Sequence, residues 1–153
     1  MKRLVVLLAV VLSIVGCTTF THNDLQWFKS KQEAIDHGIK EEGIEKQDVF
    51  GEIEDSGETF IFYKKELEEG LSVGVSSISK KDSKYAWYDS DQDYYIENVN
   101  GVSWETKTQS GKSFTIYAGL SNGKNRTINT PNGPISPNID KETGIYYYVE
   151  LSK

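Results

Sequence analysis

From residue 46 onwards, apolar side chains recur at every second position in short runs separated by turn residues. Phe60 with Phe62, Leu71 with Val73 and Val75, Tyr85 with Trp87, Val102 with Trp104, Phe114 with Ile116, and Ile145 with Tyr147, Val149 and Leu151 all keep that spacing. Successive residues of a strand point to opposite faces, so a period of two gathers these side chains on one face of a pleated strand. Ser56-Gly57, Asn100-Gly101, Ser110-Gly111, Asn122-Gly123 and Asn132-Gly133 punctuate the runs, and glycine there accepts the positive φ that tight hairpin turns require. The pattern predicts a mainly antiparallel β-meander of about seven to nine strands.

Ahead of the strands the period changes. Ser30-Lys31-Gln32-Glu33 has the form of a capping box, in which the serine hydroxyl accepts from the amide three residues on and the glutamate reaches back. Ala34, Ile35, Gly38 and Ile39 then share one arc of a helical wheel. Asp36 and Lys40, four residues apart on the opposite side, predict an ion pair. Gly43 stands where a left-handed residue ends a helix, which would fold Ile44 back onto Ile39. One helix over about residues 31–42 therefore precedes the meander, and the fold class is α+β with that helix packed on a sheet face.

The first residues form a different kind of element. Met1, Lys2 and Arg3 lead into a nearly uninterrupted apolar run from Leu4 to Val15. Twelve residues fall short of the roughly 20 that span a bilayer as a helix, and a basic start, a short apolar run and a small residue at its end describe a secretory leader. Ile14-Val15-Gly16-Cys17 resembles the lipobox of bacterial membrane lipoproteins, with Ile14 where leucine is usual. The resemblance implies that the Cys17 sulfur takes a diacylglycerol, that the leader is cut just before Cys17, and that the protein is held on the cell membrane facing outside the cytoplasm. The chain then divides into a signal peptide (1–16), a lipidated tether (17–29) and a single globular domain (30–153). In its brevity and helix-then-strand pattern it resembles the small surface lipoproteins of Gram-positive bacteria.

Composition narrows the partners. The net charge is −6, and loss of Lys2 and Arg3 with the leader makes it −8. Nucleic acids reward lysine and arginine, so so acidic a chain is a poor candidate for binding them. Cys17 is the only cysteine, which excludes an internal disulfide and a cysteine-ligated metal.

No catalytic set is legible. The carboxylates are dispersed, His22 lies in the tether, and His37 falls on the polar side of the helix, where a solvated imidazole is expected. Asp89-Ser90-Asp91-Gln92-Asp93 opens like a calcium loop, but Tyr94 and Asn100 stand where glycine and glutamate belong. The motif fails at both positions, so an acidic turn between two aromatic strands is the default reading, and no metal or cofactor is expected. Asn125-Arg126-Thr127 matches a glycosylation sequon without bearing on a bacterial exported protein.

Tyr63, Tyr88, Tyr117, Tyr146 and Tyr148 each lie one step out of register with the apolar set of their strand, so a regular pleat sends them to the opposite face. As a candidate binding surface they would stack on sugar rings or anchor a protein; they would equally serve as cross-strand pairs or lie beneath the helix. Pro131, Pro134 and Pro137 mark residues 131–137 as a loop or sheet edge. The stretch Ser56-Gly57-Glu58-Thr59-Phe60-Ile61-Phe62-Tyr63 is similar to Ser110-Gly111-Lys112-Ser113-Phe114-Thr115-Ile116-Tyr117, which fits either a duplication or the common grammar of hairpins. These readings converge on a lipid-anchored binding or interaction lipoprotein without catalytic activity, whose partner is a protein or a cell-wall glycan. The alternative is an immunity or inhibitor lipoprotein that captures a secreted protein. A cell-wall-acting enzyme would need carboxylates clustered in a cleft.

Overall fold

The helix α1 (Lys31–Glu41) begins and ends on the expected signals. The Ser30 hydroxyl accepts from the Glu33 amide at 3.2 Å, while the Glu33 carboxylate accepts from the Lys29 amide at 3.1 Å, one residue earlier than a standard capping box. At the other end Gly43 takes φ +66°, and the amides of Ile44 and Gly43 donate to the carbonyls of Ile39 and Lys40. This is the Schellman closure, which satisfies two otherwise orphaned carbonyls. Asp36, expected to pair with Lys40, instead meets Lys46 at 2.8 Å and accepts from Gln32. The chain after Gly43 doubles back and carries Lys46 alongside.

These coordinates come from a computed structural model that describes residues 25–68, 70–96, 101–122 and 126–152, the side chains of residues 90–92 excepted. The expected signal peptide, Cys17 and His22 lie outside the described residues, as do Asn100 and Gly123 of two expected turns. No helix among the described residues is long and apolar enough to cross a membrane.

After a single 3-10 turn at Lys46–Asp48 the chain is almost entirely antiparallel strand. The first sheet is a four-stranded meander of β1 (Val49–Asp55), β2 (Glu58–Leu67), β3 (Gly70–Lys81) and β4 (Lys84–Tyr95). The second contains β5 (Val102–Lys107), β6 (Ser113–Leu120), β9 (Asn138–Ile139) and β10 (Ile145–Leu151), in the order β5-β6-β10-β9. Between them in sequence, β7 (Ile128–Thr130) and β8 (Gly133–Ile135) pair only with each other. Every alternating run falls within a strand. Among the described residues, ten strands and one isolated bridge, Phe28 to Tyr85, exceed the expected seven to nine, because short pairings such as β7–β8 carry no apolar alternation.

The larger departure is that the strands make two stacked sheets under the helix. Phe60, Phe62, Val73 and Val75 of the first sheet pack against Trp104, Phe114, Ile116, Ala118, Ile145 and Val149 of the second. On the far side of the first sheet, Ile61, Tyr63, Ile78 and Trp87 pack against Ala34, Ile35 and Ile39 of α1 and against Ile44. Phe60-Ile61-Phe62-Tyr63 is thus buried on both faces, and a continuous apolar run within a strand is the mark of that situation. Full burial of each such side chain contributes about 1.5–3 kcal/mol, which accounts for the three-layer stack of helix, sheet and sheet. Gly38 permits the helix to approach, since a Cβ there would drive into the Trp87 ring.

The two similar hairpins face one another. Phe60 and Phe114, 54 residues apart, meet edge to face at 4.8 Å. Lys112 Nζ donates to the Ser56 carbonyl at 2.8 Å, and Ser110 Oγ donates to Glu58 Oε1 at 2.6 Å. Shifting each position by 54 exchanges these two contacts, the reciprocity of an interface built on a local two-fold axis. The repeated unit is a hairpin plus the strand beside its second arm, β3 in one half and β10 in the other.

Candidate functional site

The first sheet is covered on both sides, whereas among the described residues the outer face of the second sheet carries the β7–β8 hairpin and the chain leading into it. On this face Ser103, Tyr117 and Tyr148 form one cross-strand row, and Glu105, Thr115 and Glu150 form the next. Ser103 and Glu105 are exposed, Tyr117 and Tyr148 are half-buried, and the two tyrosine rings lie 6.2 Å apart.

Glu150 organises the face. Its side chain is buried, yet Oε1 accepts from the Tyr117 hydroxyl at 2.9 Å and Oε2 accepts from Asn132 Nδ2 at 2.9 Å. The Thr130 hydroxyl lies 3.0 Å from Oε2 and 3.1 Å from the Gly133 carbonyl, so its one proton serves both. A buried carboxylate is tolerable when its lone pairs are filled in this way. The proline segment therefore forms a hairpin turning at Pro131-Asn132, pinned to the tyrosine face through Glu150. Burial and the bond to Glu150 push the Tyr117 phenol up to about 12. The Tyr148 phenol is also raised, by burial first and then by Glu150.

The five tyrosines do not share one face. Tyr117, Tyr146 and Tyr148 occupy the outer face of the second sheet. Tyr63 is 1% exposed on the helix side of the first sheet, its hydroxyl 3.5 Å from Ser76 Oγ and its phenol raised by burial. Tyr88 belongs to β4 and pairs with Ser77, itself opposite Phe60, which places Tyr88 half-buried on the sandwich side. Parity orders residues within a strand; it does not say which sheet the strand joins or what covers it. His37, expected in solvent, is half-buried with its ring centroid 4.9 Å from that of Phe28.

Tyr146 is almost wholly buried beneath Arg126, whose guanidinium carbon sits 4.2 Å from the ring centroid and whose Nη1 donates to the Leu120 carbonyl at 3.2 Å. Burial raises the Tyr146 phenol and Arg126 partly offsets this. Gly101 and Gly119 let the ring lie against the sheet, because a Cβ on either would collide with it. Arg126, Tyr117, Tyr146 and Ser103 border a cleft of about 320 Å³ that closes against β7. Sequence reading passed over Arg126. The available signal was its uniqueness, as every other basic residue after Arg3 is a lysine.

The aspartate run gives a second cluster. Asp89 pairs with Ser76 and Asp93 with Gly74, so three residues of β4 bulge out opposite Val75 alone. The bulge sets Asp89 and Asp93 side by side on the helix face, near Glu42 at the end of α1. Lys65 Nζ lies 2.8 Å from Asp93 and 3.3 Å from Glu42, and Ser76 Oγ donates to Asp89 at 3.3 Å. Burial and the Asp89 carboxylate raise the pKa of Glu42, with Lys65 opposing them. Burial works against the charge on Lys65, but Asp93 and Glu42 outweigh it and raise that pKa too. Through Lys65 the arrangement latches the helix end to the sheet. Among the described residues no three histidine, cysteine, aspartate or glutamate side chains converge to hold a metal ion.

A further cleft, of about 350 Å³, lies between the helix start and the β1–β2 turn. Its Lys31 is held by Glu52 at 2.6 Å and Glu54 at 3.2 Å. Charges of both signs are already paired there. No protein-family model matches the chain, and no curated protein or solved structure matches it either.

Proposed function

We propose that the chain is a lipid-anchored, extracytoplasmic binding protein without catalytic activity, and that it recognises its partner through the outer face of the second sheet. The observation that carries this reading is the unequal covering of the two sheets. Among the described residues, Tyr117 and Tyr148 stay half-exposed on a broad sheet face that carries no packed layer beyond the β7–β8 hairpin, and Glu150 fixes the Tyr117 hydroxyl in place. Aromatic side chains held rigid at a surface bind at low entropic cost, which is why tyrosine is prominent in recognition surfaces.

The anchor rests on the lipobox at Cys17 and on a leader too short to span a bilayer. Two or three acyl chains retain a protein far more firmly than one, so the domain needs no further membrane contact. The acidic balance of the chain supports a second reading, an immunity or inhibitor lipoprotein that captures a basic secreted protein, because complementary charge speeds association.

The test is crosslinking from membranes of cells making the full chain, alongside Cys17→Ala and a Tyr117→Ala/Tyr148→Ala double variant. The reading predicts fatty-acid labelling that Cys17→Ala abolishes and a crosslinked partner that the tyrosine variant loses. Labelling that survives Cys17→Ala, or a partner indifferent to both tyrosines, would contradict it. A basic secreted protein in the adduct would select the immunity reading, and glycan fragments would select the cell wall.

A further inference from the structure

Positive charge is concentrated at one end of an otherwise acidic molecule. The turn between β3 and β4 carries Lys80, Lys81 and Lys84 against a single acid, Asp82, and all four are exposed. Among the described residues no carboxylate forms an ion pair with any of these lysines; Lys80 Nζ lies over the Tyr85 ring, 5.6 Å from its centroid. At the neighbouring β1–β2 turn the acids Glu54 and Glu58 are met by Lys31 at 3.2 Å and Lys112 at 3.4 Å, which leaves Asp55.

The same end holds the start of the domain. Phe28 and Tyr85 exchange both backbone hydrogen bonds, at 2.7 and 2.9 Å, and Trp27 shares a cleft of about 320 Å³ with Lys80 and Lys81. Residues 18–24 separate Cys17 from Leu25, and Asp24 is their only acid. Fully extended, that stretch reaches at most about 28 Å. The opposite end of β3, at the turn containing Glu68, lies about 36 Å further along the strand. A lipid on Cys17 therefore brings the lysine turn, rather than the Glu68 turn, to the bilayer.

Acyl chains retain a domain without fixing which of its faces meets the membrane. That choice falls to charges within about 10 Å of the surface, because salt screens the more distant acids. An ammonium is a point charge without a preferred plane, which suits a fluid array of headgroups, and an indole sits well at the boundary between lipid and water. We propose that the β3–β4 turn rests through Lys80, Lys81 and Lys84 on anionic phospholipid headgroups, with Trp27 at the boundary. The proposal rests on the anchor at Cys17 and adds which end of the domain faces the bilayer.

The test uses the lipidated full chain in vesicles of equal parts phosphatidylglycerol and phosphatidylcholine, or of phosphatidylcholine alone. A fluorophore is placed on Ser83→Cys or, in a separate chain, on Glu68→Cys, and a nitroxide on the lipid headgroup quenches whichever lies close. Quenching should be strong at position 83 in the anionic vesicles, weak there in the neutral ones, and weak at position 68 in both. Salt at about 1 M should relieve it. Lys80→Gln/Lys81→Gln/Lys84→Gln should lower the surface-bound population about tenfold or more, whereas Lys141→Gln, in the turn before β10, should leave it unchanged. Equal quenching at the two positions, indifference to phosphatidylglycerol and salt, or the same signal from the triple variant would overturn the proposal. Fatty-acid labelling separates the two readings: a chain that takes the lipid on Cys17 yet shows no preferred end overturns this inference alone, and a chain that never takes it overturns the anchor as well.

Discussion

Tyr63 and Tyr117 occupy equivalent places in the two similar hairpins, three residues after Phe60 and Phe114 respectively, yet they meet opposite surroundings. Tyr63 lies under α1 and is 1% exposed, while Tyr117 stands half-buried on an open face with its hydroxyl on Glu150. The residue two places before each follows the same division: Ile61 is buried against the helix layer, and Thr115 faces outward and bonds to Ser152 at 2.9 Å. The inward residues barely differ, since Phe60 and Phe62 in one arm match Phe114 and Ile116 in the other. One hairpin pattern thus builds a common core, and the outward positions record whether a third layer covers the sheet.

The comparison is broken most severely at the shared core. Phe60→Ala and Phe114→Ala should each cost about 3–5 kcal/mol. Because the rings touch at 4.8 Å, the double variant should cost less than the two singles together. Urea unfolding of the four species measures this, and strict additivity would remove the pairing across the local axis from the account.

The alternating runs made β2 to β6 and β10 legible but not β1, which none of them marks, and the two ends of α1 were legible because capping is local chemistry. The stacking of two sheets was harder to read, although the unbroken run from Phe60 to Tyr63 is its trace. Covering decides the fate of a tyrosine, and covering is a tertiary fact, so Tyr63 could not be told from Tyr117 by parity. The bulge that unites Asp89 with Asp93 depends on how many residues β3 sets opposite them, which spacing in β4 alone does not contain. Arg126 was hidden for a different reason, because a single arginine has no pattern.

Reciprocal exchange sharpens the contrast at the outward positions. Ile61→Thr places a hydroxyl beneath the helix and should cost about 1–3 kcal/mol, whereas Thr115→Ile on the open face should cost under about 1 kcal/mol. Similar losses from both would mean that the second sheet is covered after all. Removing the cap that positions the covering layer has a smaller effect than Ile61→Thr: Ser30→Ala should cost about 1 kcal/mol, read as a shift of the urea midpoint at unchanged slope.

The smallest signal is spectroscopic. Burial and Glu150 raise the Tyr117 phenol to about 12 in the folded chain, against an ordinary value of 10.0. The folded state therefore keeps a proton that the unfolded chain gives up, so this contribution to stability is complete below about pH 10 and is lost as the pH rises through 12. Tyrosinate absorbance should show one fewer late-titrating phenol in Tyr117→Phe than in the parent, since Tyr63, Tyr146 and Tyr148 are raised too. Glu150→Gln should shift that phenol downward; no shift would separate Tyr117 from its carboxylate.

The claim that the open face is the recognition surface is met most directly by a photo-crosslinking side chain placed at Tyr148 or at Gln32, which is exposed on the helix at the far side of the stack. Illumination of membranes carrying the full chain should yield a partner adduct from position 148 and none from position 32. Adducts from position 32 alone, or equally from both, would contradict the account.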